Sequence, residues 1–323
     1  MDWPTLIRSA LPDTLDPGIR AAVEAGIIDR MNRGGLLARL RAAHLNGDSF
    51  AVRVATREGR PVVRLRHLVR SGGVGFYDFA IAECEASPCA TDIFSVATGL
   101  WMSDEMAQSL SAMLPDHQGI SAETAGRVIR LGVVHRLIRE ERWGEAFAAY
   151  GELPEELQAV PTMMHYRLEA AAHLDDQTYL ETLDELLGRF PGSVTTNLVA
   201  IDAYLLREQW TKLRRALAVV RAELPDPYWL VLEALADLAE GDVTTFYARI
   251  DQCVREDPDL RYAYEMGLSA SLILEKLERA NEFLRALVSK FHVAPEELAN
   301  EDYPGVRQLE AFQNLSVGTE QAR

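Results

Sequence analysis

An aspartate set between aromatic residues is the side chain with the clearest potential for chemistry. Asp78 lies in the run Gly75-Phe76-Tyr77-Asp78-Phe79, although aspartate is disfavoured in β-strands. One interpretation makes it the polar anchor of a sheet-lined pocket for a small molecule or an enzymatic reaction. The aromatic walls of that pocket would be Tyr77, Phe79, Phe94 and Trp101. The interpretation that we favour makes Asp78 either solvent-facing near an edge or paired with an arginine of the neighbouring strand, such as Arg66.

Metal ligation finds little support in the sequence. None of the seven histidines belongs to an HExxH motif or lies four residues from another histidine. His165 and His173 are eight residues apart, so on a helix they would lie two turns apart, too far to share an ion. We therefore expect no metal and no cofactor.

The three cysteines, Cys84, Cys89 and Cys253, are too few and odd in number for a disulfide framework. Cys84 and Cys89 flank a predicted hairpin, where a disulfide is geometrically conceivable. We expect reduced, structural cysteines, and the sequence leaves the redox state of that pair open.

Catalytic motifs are equally sparse. Gly72-Gly73-Val74-Gly75 lies between predicted strands, so it indicates a hairpin turn and not a phosphate-binding loop before a helix. No GxSxG motif occurs. Carboxylate pairs such as Glu155-Glu156 lie near helix starts, where the helix dipole favours negative charge. We predict no catalytic residues and no enzyme activity.

The elements that would hold Asp78 form an N-terminal α+β domain over residues 1–118. Residues 17–45 predict two short helices, and residues 49–98 alternate with period two, which predicts a four-stranded antiparallel sheet. We expect Val63, Leu65 and His67 on its buried face and Arg64 and Arg66 on its wet face. A curved sheet of this kind occurs in cystatin-like and NTF2-like folds, which is an analogy only.

The remainder, residues 119–323, shows helical spacing between short breaks and no convincing strand. Pro191, Pro225 and Pro258 are 34 and then 33 residues apart. That interval is typical of the tetratricopeptide repeat, in which paired antiparallel helices end in a proline-marked turn.

The matching residues make this region similar to the tetratricopeptide family. Trp210 opens a second helix with Leu213 and Leu217 facing back, and Trp143 opens an earlier one. Ile201 and Tyr179 depart from the usual small residues, so the repeats are degenerate. The whole order resembles some uncharacterised bacterial proteins with these repeats, a likeness that implies no activity. The predicted fold is mostly α, an α+β domain followed by a tetratricopeptide-like α-solenoid.

The resemblance implies a concave surface formed by the first helices of the repeats. This surface would be a groove for a partner peptide or helix, or it would be filled by the N-terminal domain. The residues placed near it are Met164, Leu198, Asp202, Tyr228, Val231, Tyr262 and Glu265. We therefore predict a protein-interaction scaffold or adaptor.

Composition restricts the partners. The net charge is −16 at pH 7, so a broad surface for nucleic acid or anionic membranes is not expected. No apolar run is long enough to span a bilayer, and the N-terminus does not resemble a signal peptide. We expect a cytoplasmic protein, or a periplasmic one if a signal peptide has been removed.

Overall fold

The structure is a computed structural model that is mostly helical, with an antiparallel sheet near the N-terminus. It divides into two compact units, Met1–Ala203 and Tyr204–Arg323. The predicted boundary at residues 118 and 119 lies well inside the first unit. The described residues are 3–11, seven positions between 17 and 28, 36–45, 49–69, 73–84, 88–113, 122–189, 194–300, 303 and 305–314.

The sheet consists of five strands in sequential order, each antiparallel to its neighbour. The fifth is a two-residue strand that was not predicted. Before the sheet come α1 (Trp3–Ala10) and α2 (Leu36–Leu45), and the seven described positions between 17 and 28 are helical as well. The strands are β1 (Ser49–Arg57), β2 (Arg60–Leu68), β3 (Val74–Glu83), β4 (Pro88–Ser95) and β5 (Leu100–Trp101).

The buried and exposed faces of β2 are the reverse of those predicted. Arg64 and Arg66 are buried, 9% and 5% exposed, whereas Val63, Leu65 and His67 are only half-buried. Alternation separates the two faces but does not say which one is covered, and we assumed that the arginines would face water. The burial of Arg64 is explained by its ion pair with Asp78, which is described below.

The hairpin between β3 and β4 is closed by a disulfide between Cys84 and Cys89, whose Cα atoms are 5.9 Å apart. The expectation of reduced cysteines is therefore wrong for this pair. Cys253 is buried and lies outside any disulfide, and its thiol donates to the Pro227 carbonyl at 3.2 Å.

Helices follow the sheet in pairs. The first unit contains α3 (Met102–Met113), α4 (Ala122–Arg139), α5 (Trp143–Gly151), α6 (Glu155–Gln158), α7 (Pro161–Ala172) and α8 (Asp176–Arg189). Helix α9 (Val194–Leu206) spans the division between the units. The second unit contains α10 (Trp210–Glu223), α11 (Tyr228–Ala239), α12 (Val243–Glu256), α13 (Arg261–Ile273) and α14 (Leu277–Phe291). Two 3₁₀ turns follow, Pro295–Leu298 and Val306–Gln308.

The pairs recur with the predicted period. Second helices begin at 143, 176, 210, 243 and 277, which are 33, 34, 33 and 34 residues apart. Trp143 and Trp210 open their helices as predicted. The predicted break at Phe190-Pro191-Gly192 lies outside the described residues. No helix of the described chain is both long enough and apolar enough to cross a membrane.

Four of the turns within pairs share one backbone pattern. In each, an amide donates to the carbonyl five residues earlier: Arg142 to Leu137, Gln209 to Tyr204, Asp242 to Asp237 and Lys276 to Ser271, at 2.8–3.0 Å. The residue before each of these amides has a positive φ, and three of the four are glutamates: Glu141, Glu208, Gly241 and Glu275. This is the Schellman arrangement, which satisfies carbonyls at the end of a helix.

Packing within each unit follows the order of the chain. In the first unit, α4 packs on α5, α5 on α7 and α7 on α8. A core of Met164, Leu168, Leu183, Leu186 and Ala203 joins α7, α8 and α9. In the second unit, each helix from α10 to α14 packs on the next one, and α11 also contacts α13. Stacked pairs therefore supply the buried apolar surface in both units.

Candidate functional site

One row of side chains crosses the whole sheet. The strand register places Arg53 opposite Arg64, Arg64 opposite Asp78, Asp78 opposite Phe94, and Phe94 opposite Trp101. Directly opposed residues point to the same side of a sheet. We call this side the arginine face. Three of the five residues predicted for the N-terminal pocket, Asp78, Phe94 and Trp101, therefore lie together.

The other two lie elsewhere. Tyr77 and Phe79 alternate with Asp78 along β3 and point to the opposite side of the sheet, where both are half-buried. We call that side the valine face, since it also carries Val52, Val54, Val63 and Leu65. The five predicted residues thus do not line one cavity.

Asp78 is completely buried and bound by two arginines. Its Oδ1 accepts a hydrogen bond from Arg64 Nε at 2.6 Å, and its Oδ2 accepts from Arg64 Nη2 at 2.8 Å and from Arg57 Nε at 2.6 Å. Burial opposes ionisation, but the hydrogen bonds and charges of Arg64 and Arg57 outweigh it and lower the pKa of the Asp78 carboxyl. An ionised carboxylate with both oxygens engaged is suited to fixing the strands and poorly suited to exchanging protons.

Arg57 and the adjacent turn complete this cluster. The guanidinium carbon of Arg57 lies 3.8 Å from the centre of the Phe94 ring, a cation–π contact. Trp101 Nε1 donates a 3.4 Å hydrogen bond to Glu58 Oε2. The favoured interpretation of Asp78 as an ion-paired residue agrees with this geometry, although the partners are Arg64 and Arg57 instead of Arg66.

The first helices of the first unit hold a turn of the sheet. His165 Nε2 on α7 donates to the Ala97 carbonyl at 2.8 Å, and Thr195 Oγ1 on α9 donates to the Val96 carbonyl at 2.8 Å. Both carbonyls belong to the turn between β4 and β5, which also contains Gly99. Burial lowers the pKa of His165, and the bond to Ala97 opposes that shift only in part. Two first helices of the first unit, α7 and α9, therefore contact the turn between β4 and β5 of the N-terminal sheet.

Asp202 and Tyr179 form a second polar contact in this unit. Tyr179 Oη donates to Asp202 Oδ2 at 3.2 Å. Burial among surrounding atoms raises the pKa of Asp202, and the Tyr179 bond opposes that shift. Asp202 nevertheless retains substantial contact with solvent.

In the second unit, α13 presents a strip of partly exposed residues. Tyr262, Glu265, Met266 and Ser269 are spaced three or four residues apart, so they lie along one side of the helix, and all are half-buried. We call this set the α13 strip. Its charge is balanced in part, since Arg261 Nε contacts Glu265 Oε1 at 2.7 Å. Burial, followed by the Glu265 charge, raises the pKa of Tyr262.

The predicted groove residues separate into two classes. Met164, Leu198, Tyr228 and Val231 are buried, so they are core residues that cannot form a surface in this structure. Their side chains fill the space between neighbouring helices, a role that helical spacing alone does not distinguish from lining a groove. Asp202, Tyr262 and Glu265 remain accessible, and Tyr228 supports Tyr262 through a ring contact at 5.8 Å. Partner binding at these residues stays a prediction.

The repeat period relates the two units residue by residue. The count runs backward from the first residue of the second helix in the same pair. On this count Thr195 corresponds to Tyr228 and Tyr262, and His165 corresponds to Met266. The two repeat positions whose side chains bond to the β4–β5 turn in the first unit are thus occupied by Met266 and Tyr262 in the α13 strip. Sequence reasoning missed His165, Thr195 and Met266, although the spacing of 33 or 34 residues would have aligned them.

Comparisons with known proteins add little to this geometry. No protein-family model matches the sequence, and no curated protein matches it either. A solved structure titled "MamA RS-1 ArsTM double mutant" is similar to 54% of this chain and 97% of its own, with 16% identity and a TM-score of 0.43. At that TM-score the similarity supports no argument about fold or function. Among the described residues, no three His, Cys, Asp or Glu side chains are grouped as metal ligands would be.

Proposed function

We propose that this protein is a non-catalytic scaffold with a tetratricopeptide-like α-solenoid, and that it binds a segment of a partner protein on the α13 strip. The observation that carries this proposal is the correspondence between Tyr262 and Met266 and the two positions that hold the β4–β5 turn. One set of repeat positions has a turn of the same chain bound to it, and the corresponding positions on α13, unlike the buried Tyr228 on α11, retain accessible side chains.

The chemistry of the α13 strip defines the segment that would fit. Tyr262 and Met266 offer an aromatic ring and a flexible thioether, which pack against apolar side chains of varied shape. Glu265 and the Tyr262 hydroxyl offer polar contacts beside them. We therefore expect a short extended or helical peptide with one or two apolar anchors and a polar group between them.

The geometry of the sheet supports this function over a small-molecule site or an enzyme at Asp78. Both oxygens of the Asp78 carboxylate are already bound to arginines, and Tyr77 and Phe79 point to the other face of the sheet. A ligand at that position would have to displace a buried ion pair, which is costly.

The test uses peptides selected from a random display library on the full-length protein. Their affinity is then measured by fluorescence anisotropy for the native protein, for Met266→Glu and for Tyr262→Ala. Placing a carboxylate against an apolar anchor should weaken binding by at least about tenfold. Leu277→Glu serves as the matched control, because Leu277 is an exposed apolar residue of the same unit outside the strip.

We expect selected peptides to lose affinity for both strip variants and to keep it for Leu277→Glu, with unchanged melting temperatures. If the selected peptides bind all four proteins equally, the α13 strip is not the binding surface. If the selection yields no peptide that binds the native protein, the scaffold function itself fails.

A further inference from the structure

Strand β1 forms an open edge of the sheet. The strand order places β1 at one end, paired only with β2 among the strands that the structure describes. It is nine residues long, and its register with β2 runs without a bulge. Its sequence, SFAVRVATR, contains no proline and no lysine. Edge strands usually carry such features, or inward-pointing charges, as protection against added strands, and β1 has only the charges of Arg53 and Arg57.

The turn between β1 and β2 determines which backbone groups point outward. Glu58 and Gly59 both have positive φ, as in a two-residue type I′ hairpin, and they are flanked by the pair Arg57 and Arg60. The residues that flank such a turn bond to each other, and bonding alternates along the strand. The amides and carbonyls of Phe50, Val52, Val54 and Thr56 therefore point away from β2, toward the open edge.

The side chains along this edge differ on the two faces. On the valine face, Val52 and Val54 are 64% and 86% exposed. On the arginine face, β1 contributes Arg53 and Arg57, and β2 contributes further arginines behind them. Residues 49–70 contain six arginines and one glutamate, a net charge of +5 within a chain of net charge −16. The edge is thus apolar on one side, and on the other it is lined and backed by arginines, of which Arg57 and Arg64 already pair with Asp78.

We propose that β1 binds an extended partner segment in which acidic and apolar residues alternate, and that this segment adds to the sheet as a sixth strand. Backbone groups of the segment would pair with those of Val52 and Val54. Its apolar side chains would cover the two valines, and its acidic side chains would lie beside Arg53 on the arginine face. Charge complementarity selects this partner over a neutral or basic strand.

The proposal is tested with the full-length protein and a labelled peptide of alternating glutamate and valine. The comparison peptides are one in which lysine replaces glutamate and one with methylated amides along one edge. The protein variants are Val54→Pro, which removes an outward amide without removing a bond to β2, and Val54→Thr, which keeps that amide and the strand propensity. Binding is followed by fluorescence anisotropy at two salt concentrations, and thermal melting checks folding.

We expect the glutamate–valine peptide to bind the native protein and Val54→Thr with affinities within a few-fold of each other. Val54→Pro should weaken binding by at least about tenfold, since proline blocks the edge. The lysine and methylated peptides should not bind, and added salt should weaken binding.

Several outcomes would overturn the proposal. One is the absence of binding by the glutamate–valine peptide, and another is equal binding to Val54→Pro and Val54→Thr. Equal binding of the lysine peptide would remove the charge argument. Sedimentation provides the last of these outcomes. If the native protein is a dimer and Val54→Pro is a monomer, the edge binds a second copy of this chain instead.

Discussion

A Cβ atom added to Gly99 would lie 2.7 Å from the side-chain oxygen of Thr195. The Thr195 hydroxyl itself donates to the Val96 carbonyl, three residues before Gly99. The turn between β4 and β5 therefore touches the first turn of α9 at a distance that only glycine permits. The first turn of α9 is thus packed against, and bonded to, the backbone of this turn.

Replacing Gly99 with alanine should lower the free energy of unfolding for two reasons, the strained backbone conformation and a steric clash. Gly99 has φ +70°, where an L-residue costs roughly 1–2 kcal/mol, and the clash with Thr195 adds about 1–3 kcal/mol. Gly59→Ala is the control, since Gly59 has φ +77° and open space around its Cβ position. The difference between the two losses of unfolding free energy, measured with denaturant, gives the contribution of the clash alone. Equal losses would mean that the turn is not in close contact with α9.

A second glycine sits where two helices of the last pair meet. A Cβ at Gly267 on α13 would lie 2.5 Å from Phe283 Cζ on α14. We expect Gly267→Ala to lower the free energy of unfolding by about 1–3 kcal/mol, and Phe283→Leu in the same chain to recover part of that loss. Gly132→Ala in α4 should instead raise it by about 1 kcal/mol, because Gly132 is an exposed helical glycine with space around it. Stabilisation by Gly267→Ala would contradict the close packing of α13 and α14.

The left-handed glutamates of the repeat turns offer an unusual stabilising change. Glu275 has φ 54°, and the corresponding position in the preceding turn is Gly241. Glycine avoids the steric cost of that conformation but loses more entropy on folding. We expect Glu275→Gly to raise the free energy of unfolding by about 0.5–1 kcal/mol. Glu278→Gly, within the first turn of α14, should lower it by about 1 kcal/mol. Calorimetry on the two variants measures whether their changes in unfolding free energy have opposite signs.

Removing the charge of Asp78 should destabilise the sheet strongly. Asp78→Asn would leave Arg64 and Arg57 largely buried without their counter-ion, which costs about 3–5 kcal/mol in comparable sites. Asp251→Asn, which breaks the more exposed pair with Arg279, should cost about 0–1 kcal/mol. A loss for Asp78→Asn as small as that for Asp251→Asn would show that the buried pair is not formed.

The same ion pair predicts a pH dependence. The pKa of Asp78 in the folded protein lies below its ordinary value, and the unfolded value is about 3.9. The unfolded chain therefore binds more protons between these two values, so the stabilisation is present above about pH 4 and is lost as the pH falls through the folded pKa. The difference in unfolding free energy between the native protein and Asp78→Asn should thus shrink in acid. A constant difference from neutral to acidic pH would contradict the lowered pKa.

The sequence predicted the elements better than it predicted their surroundings. Trp143 and Trp210 open second helices as expected, because proline and glycine breaks and apolar spacing are local signals. The sheet was also predicted, apart from β5, which is too short to show alternation. The faces of β2 were assigned in reverse because the charges of Arg64 and Arg66 suggested exposure, whereas the burial of Arg64 depends on the Asp78 carboxylate of the neighbouring strand.

The groove residues illustrate the same limit. Met164 and Val231 have the spacing of residues on a first helix, but neighbouring helices cover them. Their burial depends on how the pairs stack, which is not encoded in the spacing of one helix. His165 gave no signal at all, because its partner is a backbone carbonyl far away in sequence. The same spacing placed Tyr262 and Glu265 on the predicted surface, and these two remain accessible, while partner binding at them stays a prediction.

The most direct test of the scaffold function places a photoreactive amino acid at Tyr262 in the source cells, with Leu277 as the comparison position. Irradiation followed by mass spectrometry identifies what each position contacts. We predict one partner protein that is captured from position 262 and not from 277, and whose capture Met266→Glu abolishes. Cross-links from position 262 that remain within the chain, or the same set of proteins from both positions, would contradict binding at the α13 strip.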